Sequence, residues 1–347
     1  MTTKSSWDRL DTFTSIVSSS YIPGEAGRLP QTMRAASQSC MLEGQMQCSR
    51  LQFSASSAAF EKLSFHSDTC LYIYMLTCDS YNHSLTGEVS PLNTNLLQLQ
   101  SLATLGDDIG FMAQLSLSHL YAAMMLPSAA MKYFETARQL LNVSGYELPK
   151  QLKMYAMHIY GKILSCDLAN SKYGLQFYSI AGMLYPESLY PFFTATLNIS
   201  RAVLLSAAGD TEEARNAIHK ACDLLKPDGF ILPFGEFFTL FDQNLISVLE
   251  EYWPESAAKL QIFWSQNIPC WIDVRNRLTG ETLTSRLTKR EHDVAIRAAA
   301  GMSNKEIAAQ LGISENTVKS FLRSIFNKLN IDHRSKLPAY IYKPSDF

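Results

Sequence analysis

The chain has 347 residues, a formal net charge of −2, 47% hydrophobic and 18% charged residues, and 18 Phe with 16 Tyr. That length exceeds one comfortable hydrophobic core, and that wealth of core-forming side chains excludes a disordered protein, so two folded units are expected. The charge is uneven: from Arg286 onward there are 11 Lys/Arg against 6 Asp/Glu, a net +5, which leaves −7 on residues 1–285. A basic tail on an acidic body points to a nucleic-acid partner for the tail alone.

The seven cysteines form no C-x-x-C pair and have no His at metal-ligand spacing, so neither a disulfide framework nor a metal site is expected. Reduced thiols fit a cytoplasmic protein. The N-terminus holds Lys4, Asp8, Arg9 and Asp11 with no apolar run behind them, which does not read as a signal peptide. Apolar residues recur at helical rather than strand spacing throughout, which predicts an all-α fold.

In chain order, Ser56, Phe60 and Leu63 give the first trace of a small–bulky–apolar pattern. Gly106-Asp107-Asp108 predicts a tight turn in which Gly takes positive φ and Asp caps the next helix, rather than a phosphoacceptor pocket, because no alternation of strands and helices surrounds it. Residues 109–131 run 23 positions without a charge, yet Gln114, Ser116, His119 and Pro127 interrupt them, which predicts a buried helix pair rather than a membrane span. The pattern then recurs as Ala130, Phe134, Ala137, as Gly174, Tyr178, Ala181 and as Ala214, Ile218, Ala221, at spacings of 44 and 40 residues. Small side chains at these positions let two helices approach closely while the bulky ones fill the gap to the next pair. Leu117 and Tyr121 precede the first copy, Pro186 follows the second, and Gly209-Asp210 supplies another capped turn.

These windows resemble tetratricopeptide repeats, although their spacing exceeds the roughly 34 residues of the standard unit. The stretch from Lys226, Lys-Pro-Asp-Gly-Phe-Ile-Leu-Pro-Phe-Gly-Glu, is similar to the segment that follows the repeats in large helical regulators of the maltose-regulon-activator type. Their nucleotide-binding phosphate loop, G-x-x-x-x-G-K-[S/T], is absent, as are H-E-x-x-H and G-x-S-x-G, so neither catalysis nor a cofactor is expected. His66, His119 and His158 lie in apolar helical contexts and are expected to be packed core residues.

From Leu287 the sequence reads LTKREHDVAIRAAAGMSNKEIAAQLGISENTVKSFLRSIFNKLNIDHRSKL. Thr288 with Glu291 and Ser303 with Glu306 form capping-box patterns, Gly301 and Gly312 suit left-handed helix ends, and Ser314 is placed to cap a third helix. On that helix Val318, Leu322, Ile325 and Leu329 make one apolar stripe. The opposite face carries Asn316, Lys319, Ser320, Arg323 and Asn327, a row suited to phosphates and base edges.

This segment strongly resembles the LuxR-type helix-turn-helix domain found in response regulators of the nitrate-sensing type. The resemblance implies that Lys319, Ser320 and Arg323 face the bases, that Asn304, Lys305, Thr317, Lys328 and Arg334 lie near phosphates, and that a last helix near Ser335–Tyr342 supplies a dimer contact through Leu337, Tyr340 and Ile341. Ala295 and Arg297 replace large apolar residues of the family, Phe321 replaces a usual His, and Asn330 replaces a usual Gly.

The expected architecture is therefore all-α: a tetratricopeptide-like array over 1–264, a linker over 265–286 and a four-helix LuxR-type domain over 287–347. The expected partners are double-stranded DNA, a second copy of the chain on that DNA, and a small-molecule, peptide or protein effector at the repeats, with no membrane. The alternative is a repeat scaffold that holds another protein and is tethered to DNA by its terminal domain.

Overall fold

The computed structural model describes residues 7, 10–11, 13–19, 21–32, 36–63, 68–166, 171–237, 240–241, 243–279, 287, 289–329 and 331–339. Every regular element among them is helical. The chain divides into two compact units, the first built mainly from residues up to Trp264 and the second mainly from Ser265 to Asp346.

The first unit begins with α1 (Leu29–Thr32), α2 (Ala36–Ser49), α3 (Phe53–Phe60), α4 (Thr69–Thr86) and α5 (Val89–Leu102). Three helix pairs follow: α6 (Asp108–Ala123) on α7 (Pro127–Ser144), α8 (Lys150–Ser165) on α9 (Ser171–Leu184), and α10 (Pro191–Ala207) on α11 (Thr211–Leu225). The short α12 (Leu232–Gly235) and α13 (Gln243–Tyr252) lead into α14 (Pro254–Thr279).

The three copies of the sequence pattern fall on the second helix of each pair. Ala130, Ala137, Ala181, Ala214, Ile218 and Ala221 are all essentially inaccessible. Close approach explains why these side chains are small. A Cβ on Gly174 would run into Leu204 of α10, and one on Gly161 would come within 3.1 Å of the Tyr178 ring. Tyr178 in turn hydrogen-bonds the Gly161 carbonyl at 2.6 Å, which ties α8 to α9. The charge-free stretch is the buried core of α6 with the first turn of α7, and no helix among the described residues is long and apolar enough to cross a membrane.

The turns follow the expected chemistry with one exception. Asp107 caps α6 by accepting from the Ile109 and Gly110 amides at 3.1 Å, and Asp210 caps α11 through the Glu213 amide behind Gly209 at φ +84°. Gly106, however, does not take positive φ; the Asp107 carboxylate makes the turn without it. Leu63 lies beyond the end of α3, so the first trace of the pattern keeps only Ser56 and Phe60 on one helix, both buried.

Residues 13–19 form no regular helix, yet all are buried. Phe13, Ile16 and Val17 enter the core, and the Ile16 amide donates to Gln45 Oε1 of α2 at 3.0 Å. Asp228, in the turn after α11, accepts from the Tyr21 hydroxyl at 2.7 Å and the Ala26 amide at 3.0 Å. One carboxylate thereby fixes the N-terminal segment to the far end of the paired helices.

The linker expected over 265–286 is helical as far as Thr279, because Trp271, Ile272 and Val274 have core to bury against. Residues 280–286 lie outside the described residues, as do His66 and Asn330.

Candidate nucleic-acid interface

Three helices build the end of the second unit: α15 (Lys289–Ala299), α16 (Asn304–Leu311) and α17 (Glu315–Leu329), followed by a 3-10 stretch, Arg334–Ala339. The expected fourth helix is thus a 3-10 turn among the described residues. Val294, Ala295, Ile307, Val318, Ile325 and Leu337 anchor one compact core.

Local chemistry sets the turn between α16 and α17. Ser303 and Glu306 make a complete capping box, and the bonds to Ser303 hold the Glu306 carboxyl below its usual pKa. Gly312 ends α16 at φ +62° with its amide on the Ala308 carbonyl, a conformation that favours Gly. The Ser314 hydroxyl then accepts from the Thr317 amide at 3.1 Å and starts α17. Gly301, at φ +86°, closes α15 in the same hand. Thr288 lies outside the described residues.

On α17 the stripe Val318, Leu322, Ile325 and Leu329 is buried, while Asn316, Lys319, Ser320, Arg323 and Asn327 are exposed. Lys319, Ser320 and Arg323 make no hydrogen bond or ion pair among the described residues. Lys319 and Arg323 stand one turn apart, so two cationic donors project from one face.

The five residues expected near phosphates separate into two groups. Lys305 and Thr317 are exposed near the starts of α16 and α17, with the Thr317 hydroxyl 2.8 Å from that of Ser314. The other three are built into the domain. Lys328 pairs with Glu291 at 2.6 Å, and Ser324 donates to the other oxygen of that carboxylate at 2.6 Å, so Glu291 clamps α15 to α17. Arg334 donates to the Ala298 carbonyl and to Asn304 Oδ1, both at 3.1 Å, and to the Met302 carbonyl. Its guanidinium therefore clasps the α15–α16 turn, and Asn304 is its acceptor rather than an independent group.

Leu337 is wholly buried in the core of its own domain; Tyr340 and Ile341 lie outside the described residues. The substitutions at family positions are absorbed locally. Ala295 is fully buried, Arg297 bridges to Gln310 of α16 at 3.0 Å, and Phe321 packs on the core edge. Glu291 was expected as the capping-box partner of Thr288, and its clamp on α17, like the Arg334 clasp, escaped sequence reading. The one available signal was the placement of Ser324 and Lys328 four residues apart on a face shared with neither stripe nor reading row.

Residues 285–341 match the family model for bacterial regulatory proteins of the LuxR family. The segment is a LuxR-type helix-turn-helix domain. The chain is similar to a nitrate/nitrite response regulator protein homolog of Haemophilus influenzae, 54% identical over 122 residues, covering 35% of this chain and 52% of that protein. It is also similar to the nitrate/nitrite response regulator protein NarP of Escherichia coli, 51% identical over 57 residues, or 16% and 26% of the two chains. The CsgBAC operon transcriptional regulatory protein of Escherichia coli is 42% identical over 109 residues, or 30% and 48%. The chain thus covers about half the length, or less, of these relatives, and no solved structure matches it.

One motif in the first unit points elsewhere and fails on geometry. Ser256-Ala257-Ala258-Lys259 has the S-x-x-K spacing of serine acyl-transfer enzymes, a match that escaped motif reading. The Ser256 hydroxyl is buried with no hydrogen-bond partner among the described residues and Lys259 is exposed, so nucleophile and base are not assembled.

Proposed function

We propose that the chain is a sequence-specific DNA-binding transcriptional regulator that works as a dimer on DNA, with its first unit receiving an effector. The observation that supports this best is the uncommitted polar face of α17, set opposite a fully buried stripe. A helix so arranged enters the major groove with Lys319 and Arg323 positioned to donate to guanine O6 and N7, and with Ser320 between them. Lys305 and Thr317 take the flanking phosphates. Each good base contact discriminates by about 1–3 kcal/mol, whereas phosphate contacts supply salt-dependent affinity.

The experiment is crosslinked DNA capture across the genome with the wild type beside a Lys319→Ala, Arg323→Ala double variant. Discrete peaks lost in the variant support the reading, and peaks that persist in it refute the assigned reading face. In the proposed regulator the paired helices act as a tetratricopeptide-like array in a cytoplasmic protein, and effector binding shifts the population able to occupy paired half-sites.

A second reading, a scaffold that holds another protein, is favoured by one feature of α9. Tyr173, Ile180, Met183 and Leu184 are all more than half exposed there, with Leu189 close behind. Contiguous exposed apolar residues of this kind mark protein contact surfaces.

A further inference from the structure

An open pocket of about 360 Å³ lies in the first unit where the end of α2, the turn after α11 and the start of α14 meet. That size falls within the range of small-molecule sites. Three cationic side chains line it, each from a different element: Arg50 just past α2, Lys226 in the turn after α11, and Lys259 on the second turn of α14. Glu255 is the one acidic residue in that lining, and none of the four forms an ion pair among the described residues. Arg50 is held in place, its Nε donating to the Asp228 carbonyl at 2.9 Å and its guanidinium 5.4 Å from the centre of the Phe230 ring. Lys226 reaches the Tyr252 carbonyl at 3.3 Å, and Lys259 meets no acceptor among the described residues. Both lysines are exposed, so their ammonium groups are open to a ligand.

Residues 1–285 carry a net charge of −7, so three cations with one carboxylate run against the prevailing charge. The walls between them are apolar, with Ile231 and Trp253 both buried. Charges of one sign over low-dielectric walls focus a potential inside a concave site and gather counter-ions there. The start of α14 reinforces that potential. Trp253, ahead of the first turn, has no side-chain acceptor to cap the helix, and the amides of Glu255 and Ser256 make no hydrogen bond among the described residues. The positive end of a 26-residue helix is therefore uncapped at the pocket.

We propose that this pocket binds a small molecule carrying a terminal phosphate, with Arg50, Lys226 and Lys259 donating to the phosphate oxygens. A phosphate monoester brings close to two negative charges and three acceptor oxygens, which answers three cations set against one carboxylate. The volume beyond the phosphate takes an organic portion lying on Ile231 and Trp253. This deepens the regulator reading by giving the effector's chemistry, and it rests on that reading only for what binding brings about. Occupancy bears on the N-terminal segment through Asp228, whose carbonyl holds Arg50 and whose carboxylate holds Tyr21 and Ala26.

The test uses the full chain with 15N-labelled tryptophan at a constant salt concentration of about 0.15 M. The chain has four tryptophans, and the indole signal of Trp253 is assigned through Trp253→Phe. Glycerol 3-phosphate, inorganic phosphate, glycerol and dimethyl phosphate are titrated. Glycerol 3-phosphate should shift the Trp253 signal saturably with a Kd below about 1 mM, at least as tightly as inorganic phosphate, while glycerol gives no saturation. Dimethyl phosphate, a singly charged diester like a nucleic-acid backbone, should bind about tenfold more weakly or worse. Lys226→Ala and Lys259→Ala should each weaken glycerol 3-phosphate about three- to tenfold, and Glu255→Gln should tighten it about two- to fourfold. Lys132→Ala, at an exposed position on α7, should change nothing. The gain in Glu255→Gln is an effect that poor folding cannot imitate.

Failure of glycerol 3-phosphate to saturate below about 10 mM, or indifference of its affinity to all three charge changes, would overturn the proposal. So would equal affinity for dimethyl phosphate, which assigns the pocket to a nucleic-acid backbone, or tighter binding of inorganic phosphate, which leaves no place for the organic portion. DNA binding by the same samples, followed by fluorescence anisotropy, separates the two readings. Probe binding without DNA binding leaves the pocket and removes the regulator, and the converse removes the pocket alone.

Discussion

Replacing Arg334 by Ala separates a phosphate contact from a structural clasp. The guanidinium bonds the Ala298 and Met302 carbonyls and Asn304 Oδ1, across 36, 32 and 30 residues of sequence. It therefore holds the end of α15, the following turn and the start of α16 to the 3-10 stretch. Hydrogen bonds from a charged donor contribute about 1.5–3 kcal/mol each when buried, but this residue is only partly buried and water can reach the freed acceptors. The net loss is about 2–3 kcal/mol.

Against a domain of this size, whose total stability is about 3–9 kcal/mol, that is a large fraction. Hydrogen exchange on the full chain reads it directly: amides of α15 and α16 should lose about 30- to 150-fold in protection while those of α6 to α11 do not change. DNA affinity should fall on every sequence with an unaltered salt slope. Arg334→Lys should not restore protection, because a single ammonium cannot address three acceptors fixed around a planar fork. Unchanged protection together with a salt slope reduced by about one would show instead that Arg334 meets a phosphate, and the clasp would be wrong.

Three further outcomes are expected. Gly110→Ala should lower stability by about 1–3 kcal/mol in urea titration, since the added Cβ would run into the Leu105 carbonyl oxygen, whereas Gly182→Ala, with open space around it, should raise it by up to about 1 kcal/mol. Ser303→Ala should cost about 1 kcal/mol and appear as lost amide protection confined to α16, because it removes half of the capping box. Stability of the first unit should fall on acidification: burial lowers His158 from 6.5 to about 3, so below 6.5 the unfolded chain takes up a proton that the folded chain refuses. That residue alone makes pH 5 less favourable than pH 7.5 by about 2 kcal/mol, and His158→Asn should flatten the dependence correspondingly.

Much of the second unit was legible because local chemistry decides it. The Ser303–Glu306 box, the left-handed Gly301 and Gly312, and the Ser314 cap each act within a few residues, and the stripe on α17 is a one-helix pattern. The small residues at the crossings of the paired helices were legible for a similar reason, since Ala and Gly at those spacings have few other uses. Side chains whose partners lie far away in sequence were not. Arg334, Lys328 and Asn304 have donors and acceptors that a phosphate would also satisfy, and only the placement of Ala298 and Glu291 shows that the domain satisfies them itself. Leu337 is equally ambiguous, because an apolar side chain near a chain end suits a dimer seam or a core with the same sequence.

A partly open cavity of about 80 Å³ in the first unit defeats sequence reading more thoroughly. Its lining comes from Ile16, Val17 and the six helices α2, α4, α6, α8, α10 and α12, with Glu236 just beyond the last, and most contributors sit among ordinary core residues. His119 and His158 were expected to be packed, and they are; packing and lining a cavity are not alternatives for a side chain with one apolar edge and two nitrogens. Gln45, Tyr155 and Lys162 find partners within the fold, so their burial needs nothing further. The Thr77 hydroxyl has no partner among the described residues, and neither do those of Ser116 and Ser256, so an unanswered buried hydroxyl does not by itself mark a binding site.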